Sequence, residues 1–347
     1  MANGSIAASG TQETENRLAV LDGWRALSIL AVIAGHWLPL NAVIPNSNNF
    51  AGAFGMALFF TLSGFLITSF MIKRPEPRSF MIRRVMRILP LAWSAMIALY
   101  LVALANETVD DPASALVANL AFYANLPPSH LFPGGEHLWS LCVEMQFYVL
   151  VALLVWALGR KGLYLLPVIA VGVTVARILA DQPISIITWH RLDEILAGAM
   201  LALVYFGQVG ERAAAILARI PFWVAVVAAV ACTYLLDTPL AYLRPYAVAL
   251  MVGVSLYSVP RWVEAILSSA PARYVAQISY ALYVFHMMFA ATWLGSGDTL
   301  EKYLKRPLLA AVTWAAAHVS TFYFEQRFTD LARKWTRGPA PAPLRTY

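Results

Sequence analysis

A chain of 347 residues that is 60% hydrophobic and only 13% charged, with a mean hydropathy of +0.64, holds more apolar surface than a water-facing globule of this size can bury, so lipid is part of its solvent. The formal charge of +6 is spread over short separate segments, which excludes the continuous basic surface that a nucleic-acid partner needs.

Residues 1–18 are small, polar and weakly charged. They lack the short basic and apolar layout of a cleaved signal peptide and are expected to form a disordered cytoplasmic lead. A transmembrane domain is expected over 19–328, and the Pro- and Ala-rich end of the chain, within 329–347, is expected to be an extended cytoplasmic tail.

Apolar stretches predict spans near 26–40, 51–72, 88–105, 138–158, 163–180, 192–206, 221–236, 245–259, 274–294 and 307–324. Each is close to the roughly 20 residues that cross a hydrocarbon core about 30 Å thick. The predicted fold is thus an all-α polytopic membrane bundle of about ten transmembrane helices with both termini cytoplasmic. The stretch 113–128 is too short to cross unaided and reads as interfacial or re-entrant.

Orientation follows from the basic residues, because basic loops stay cytoplasmic. Nineteen of the 25 fall on the side of the termini, among them six from Lys73 to Arg87. The other side holds Arg177, Arg191, Arg244, Lys302, Lys305 and Arg306, and its loop after the third span carries Glu107, Asp110, Asp111 and Glu136.

Ionisable side chains inside a span are costly and are therefore candidates for function. In LDGWRALSILAVIAGHW, Arg25 and His36 have ten residues between them, which separates them by about 16 Å along one helix. His36 is either a hydrogen-bonded packing residue or a working imidazole. In SFMIRRVMRILP, Arg83 reads as an anchor; Arg84 and Arg87 are three apart on one helix face, suited either to anchoring or to clamping phosphates.

The densest constellation is GGEHLWSLCVEMQFYVL. Glu136, His137, Trp139 and Ser140 stand at the outer entrance, and Glu144, Gln146 and Tyr148 follow within the span. Ser140 and Glu144 are one turn apart and are expected to face a common cavity. In WHRLDEILAGAM, Arg191 pairs with Glu194 at three-residue spacing or contacts substrate. In ISYALYVFHMM, Tyr283 and His286 can share a face, although a belt role is the commoner explanation for tyrosines near span ends. Cys142 and Cys232 read as apolar packing residues, and no metal site is expected.

In this order LDGWRALSILAVIAGH, FFTLSGFLI, RRVMRILP, HLWSLCVEMQFY, RLDEILAGA, ISYALYVFH and FEQRF resemble the membrane-bound acyltransferase family 3, the sugar O-acetylases of bacterial surface glycans. The resemblance covers residues 20 to 328 and implies a ten-helix bundle in the bacterial inner membrane. It also implies His36 as the essential catalytic residue, Arg25 as required, Arg84 and Arg87 as binding acyl-CoA, and Glu144 as the family's carboxylate. Trp139, Ser140, Gln146, Tyr148, Arg191, Glu194, Tyr283 and His286 are the expected substrate-binding set. The implied donor is acetyl-CoA, and the implied acceptor is a hydroxyl of a carbohydrate or glycolipid. The rival expectation is a transporter or flippase of a glycan-related solute without chemistry. Some members continue into an esterase-like domain; this chain is expected to be a stand-alone member.

Overall fold

A computed structural model describes residues 3–336, with side chains from residue 19 onward. The described residues form fourteen α-helices with short 3₁₀ turns and no strand: α1 (Asn3–Trp37), α2 (Ser47–Lys73), α3 (Pro77–Asn106), α4 (Pro112–Leu120), α5 (Trp139–Leu158), α6 (Leu166–Leu179), α7 (Asp193–Tyr205), α8 (Glu211–Arg219), α9 (Phe222–Tyr234), α10 (Arg244–Ser255), α11 (Arg261–Leu267), α12 (Ala270–Ala290), α13 (Thr299–Val319) and α14 (Gln326–Trp335). The stretch expected as a lead thus has helical backbone from Asn3. Of the expected tail, the part to Trp335 is helical, and residues 337–347 lie outside the described residues.

Every predicted span coincides with a helix, but their lengths differ. Four segments, Ala19–Trp37, Ser47–Lys73, Pro77–Asn106 and Glu136–Leu179, are long and apolar enough to cross a membrane. A fifth is reached if α8 and α9, bent by 89°, are taken together. The expected spans over 192–206, 221–236 and 245–259 appear as helices of 13, 13 and 12 residues, about 18–20 Å long and short of the hydrocarbon thickness. Their ends are set by the 3₁₀ turns Thr188–His190 and Pro239–Leu243 and by Gly207, whose φ of 64° halts α7. Helices α12 and α13 have 21 residues each. Arg273, Gln277 and His286 make α12 more polar, and Glu301, Lys302, Lys305 and Arg306 do so for α13.

Small residues decide how the helices meet. At the crossing of α2 and α7, a Cβ on Gly64 would lie 1.8 Å from the Ile195 carbonyl oxygen, and one on Gly198 would lie 2.0 Å from the Thr61 carbonyl oxygen. Each helix therefore presses its backbone against the other through a glycine, the close approach that small residues permit in lipid. Around this crossing Leu58, Phe60, Leu62, Ile67, Ile195 and Leu196 are almost wholly buried. The contact fixes the head of α7, with Arg191, Asp193 and Glu194, against Phe60 of α2.

The interfacial stretch begins as α4, capped by Asp111, whose side chain accepts from the Ser114 amide at 3.0 Å. From Ala121 to Gly135 the chain is irregular and is held by side-chain amides. Asn119 donates to the His130 carbonyl at 2.7 Å, and Asn125 donates to the Ile186 carbonyl at 2.9 Å.

Candidate functional site

Two polar cavities are lined by different parts of the bundle, and a small space shares lining residues with both. The larger, about 650 Å³, is lined by His36, Asn48, Asn49, Ser129, Glu136, His137, Trp139, Ser185, Arg191 and Tyr283, among others. His36 and His137 are on its wall, and His286 packs behind them. His36 Nδ1 lies 3.0 Å from His286 Nε2, the two rings stack with centroids 5.1 Å apart, and the His137 ring meets that of His286 edge-on at 4.8 Å.

The proton positions follow from the partners. His286 Nδ1 faces the Tyr283 carbonyl at 2.6 Å, and a carbonyl only accepts, so Nδ1 carries the hydrogen. Neutral His286 then offers a bare Nε2, to which His36 donates from Nδ1. The remaining nitrogen of His36, Nε2, is left with its lone pair on a ring exposed to the cavity. By the same reasoning His137 donates through Nε2 to the Val284 carbonyl at 3.1 Å. Tyr283 donates to the His137 carbonyl, so the contact of 2.6 Å between Ser140 Oγ and Tyr283 Oη has Ser140 as donor.

The smaller cavity is lined by Arg25, Ser63, Arg84, Arg87, Glu144, Tyr148, Ser279 and Tyr280. Glu144 Oε1 accepts from Ser63 and, at 2.5 Å, from Tyr148. Arg84 lies over the rings of Phe80 and Tyr148, 5.7 Å from each centroid. The lining of this cavity carries three guanidiniums and one carboxylate. Arg84 and Arg87 also line an adjoining cavity of about 260 Å³ with Arg83, Thr329 and Arg333. Here Arg83 does more than anchor, because it donates from Nε to Thr336 Oγ1 at 2.8 Å and ties down the end of α14.

Between the chambers, Ser28, Ile29, Val32, Met56, Phe59, Ser279 and Tyr283 surround a neck of about 10 Å³. Phe59 and Ser279 are shared with the arginine chamber, and Val32, Met56 and Tyr283 with the histidine chamber. Phe59 and Tyr283 stack at 6.0 Å with their planes 6° apart.

The expected residues are thus sorted into places. Arg25, Arg84, Arg87, Glu144 and Tyr148 come together, but His36 lies in the other chamber with Trp139, Arg191 and Tyr283. Ser140 and Glu144 do not share a cavity: Ser140 turns to Tyr283 and Glu144 to Ser63 and Tyr148. Tyr283 is 5% exposed and forms part of the wall, in place of the belt position that its sequence context suggested. Gln146 lines neither chamber. It donates to the Phe122 carbonyl and Asn125 Oδ1 and accepts from Thr188 at 2.6 Å, so its amide is spent on holding the loop. His286 is fully buried behind His36.

Glu194 is fully buried in an ion cluster that local spacing only half revealed. It meets Arg191 at 3.3 Å, as the three-residue spacing allowed, and also Arg244 at 2.9 Å. Asp193 pairs with Arg177. Arg177 and Arg244, which the orientation count placed as outer basic residues, are thus buried partners at 1% and 0% exposure. Ser63 is a further residue without an assigned role in the sequence; its signal was a hydroxyl beside glycine in the apolar FFTLSGFLI. Cys142 and Cys232 are buried and unpaired.

A helical, lipid-facing chain with a histidine chamber and an arginine chamber defines a membrane protein built around two polar sites. The chain belongs to the acyltransferase family, since that family's model, described as an acyltransferase domain, matches residues 18–324. Peptidoglycan O-acetyltransferase OatA of Listeria monocytogenes is 25% identical over 362 residues, covering 91% of this chain and 56% of that protein. "Putative O-acetyltransferase SACOL0978" of Staphylococcus aureus (strain COL) is 28% identical over 222 residues, 53% of this chain and 34% of that protein. "Putative peptidoglycan O-acetyltransferase YrhL" of Bacillus subtilis (strain 168) is 30% identical over 152 residues, 38% of this chain and 22% of that protein. The chain therefore spans about half the length, or less, of the curated relatives it matches. No solved structure matches.

Proposed function

We propose that this protein is a membrane-bound O-acyltransferase that moves an acyl group, acetyl in the simplest case, from acyl-CoA to a hydroxyl of a carbohydrate or glycolipid. The observation that carries this reading is the orientation of His36, with Nδ1 committed to His286 and the Nε2 lone pair free at the cavity. Such an imidazole is a general base set up before substrate arrives. The family match and the relatives' names favour transfer chemistry over the transporter reading.

In the proposed reaction, acyl-CoA enters from the cytoplasm and its phosphates are held by Arg84 and Arg87, with Arg25 beside them. The acyl-bearing arm extends along the neck past Phe59 and Tyr283. His36 Nε2 takes the proton of the acceptor hydroxyl, whose oxygen attacks the thioester carbonyl. The C–S bond breaks, and the thiolate leaves with the proton that the imidazolium returns. Glu144, fixed by Ser63 and Tyr148, balances the arginine chamber and orients its guanidiniums. The matching topology is ten membrane-crossing segments in the inner membrane with both termini cytoplasmic, the arginine chamber on the inner side and the histidine chamber on the outer side.

The test is release of CoA from acetyl-CoA by the purified protein in nanodiscs with a panel of glycan acceptors, His36→Ala run alongside. A positioned base contributes roughly 10²–10⁴-fold, so His36→Ala is expected to lose that factor while eluting as a folded monodisperse protein. Unchanged turnover in that variant sinks the mechanism.

A further inference from the structure

Arg191 stands at the head of α7 with its guanidinium over the rings of Trp139 and Phe60, 5.3 and 6.0 Å from their centroids. It is 3% exposed. Of its donors, Nη2 meets Glu194 at 3.3 Å. Nε and Nη1 are buried and have no hydrogen-bond partner among the described residues.

The neighbours do not neutralise it. Arg177 takes Asp193 and also donates to the Pro183 carbonyl at 2.7 Å. Arg244 takes Glu194 Oε1 through Nε and donates to the same carbonyl at 3.1 Å. Three buried arginines thus share two buried carboxylates, and one positive charge is left over. Among the described residues that line the histidine chamber, Arg191 is the only arginine, so the surplus is presented there. Glu136, the only carboxylate in that lining, is exposed, where water screens it.

Leaving two guanidinium donors buried and unpaired is costly, and each can give a charge-assisted hydrogen bond to a carboxylate or phosphate. We propose that Arg191 binds an anionic group on the acceptor, which makes the acceptor an acidic or phosphate-bearing sugar and not a neutral one. The word acceptor rests on the acyl-transfer reading; the anion site itself does not. Asn48, Asn49, Ser129 and Ser185 line the same chamber and supply partners for sugar hydroxyls.

The experiment measures binding and needs no turnover. The full chain in nanodiscs is titrated with methyl β-D-glucuronide, glucose 6-phosphate and methyl β-D-glucoside, and the affinity is read from the shift in thermal unfolding midpoint. An Arg84→Gln, Arg87→Gln background removes phosphate binding at the inner chamber. One of the two anionic sugars is expected to bind at least about tenfold more tightly than the neutral glucoside, and which one does so separates carboxylate from phosphate. Arg191→Gln is expected to abolish the preference. Arg191→Lys, which keeps the charge but not the two unpaired guanidinium donors, is expected to keep only part of it. Equal effects of all three sugars, including no effect from any, overturn the proposal, as does an anion preference that survives Arg191→Gln. Should Arg191→Gln fail to fold, the wild-type comparison and Arg191→Lys still decide. Loss of acyl transfer with the anion preference intact would count against the catalytic reading alone.

Discussion

His286 shows how much one buried side chain can decide. Its Nδ1 hydrogen is fixed by the Tyr283 carbonyl, and its Nε2 therefore fixes the tautomer of His36. His286 is accordingly a positioning residue. His286→Ala removes the acceptor for His36 Nδ1–H, and turnover is expected to fall about 10²-fold with little change in the donor KM. His286→Gln places an amide oxygen near the old Nε2 position and is expected to recover part of the rate. Equal losses in both variants would make His286 a packing residue only. The two charges on Arg84 and Arg87 make a different contribution. Reversing both to Glu is expected to weaken acyl-CoA binding by at least about tenfold, measured by equilibrium dialysis, while membrane insertion is unchanged.

At the scale of helices, the α2–α7 crossing and the neck govern whether these side chains meet. A methyl group on Gly198 would fall 2.0 Å from the Thr61 carbonyl oxygen, so the helices must separate to admit it. Gly198→Ala is expected to cost about 1–3 kcal/mol as an overpacking substitution, seen as a lower unfolding midpoint in nanodiscs, and to weaken both chambers together because α2, which it would displace, lines both. An unchanged midpoint would mean that the helices do not press as closely as described. The neck makes the opposite expectation. Ser279→Leu fills space between Phe59 and Tyr283, so CoA release is expected to fall about tenfold or more while donor affinity stays within a factor of about three. Equal loss of binding and turnover would show that the acyl arm does not pass there.

For the whole molecule, the buried ion cluster changes the charge balance on which orientation rests. Arg177, Arg191 and Arg244 are inside the protein and do not count as loop charges, so the basic residues assigned to the outer side shrink to Lys302, Lys305 and Arg306. Lys305 is itself paired with Glu301 at 2.5 Å. The bias toward cytoplasmic loops becomes steeper than the bare count. Cysteines at the exposed positions 110 and 161 test the proposed orientation. In intact cells a membrane-impermeant maleimide is expected to label Asp110→Cys and to label Lys161→Cys only after permeabilisation. The reverse pattern would invert the topology and place the histidine chamber on the inner side.

The sequence by itself determined the membrane environment, the helical class and the family, because hydropathy and short ordered motifs act locally and survive in one dimension. It also marked His36, Arg25, Arg84, Arg87 and Glu144 as costly to bury, and each of them lines a cavity. Spacing along one helix showed that Arg25 and His36 are far apart; it could not show that Glu144 belongs with the arginine and Tyr283 with the histidine. Gln146 looked like a site residue for the same reason as its neighbours, since a buried amide reads alike whether it meets substrate or a loop. Only the tertiary structure decided those allocations, the tautomer of His36 and the pairing of Arg177 and Arg244 with α7. The contacts responsible join residues as much as 250 positions apart, and no local pattern encodes which distant donor will meet a given acceptor.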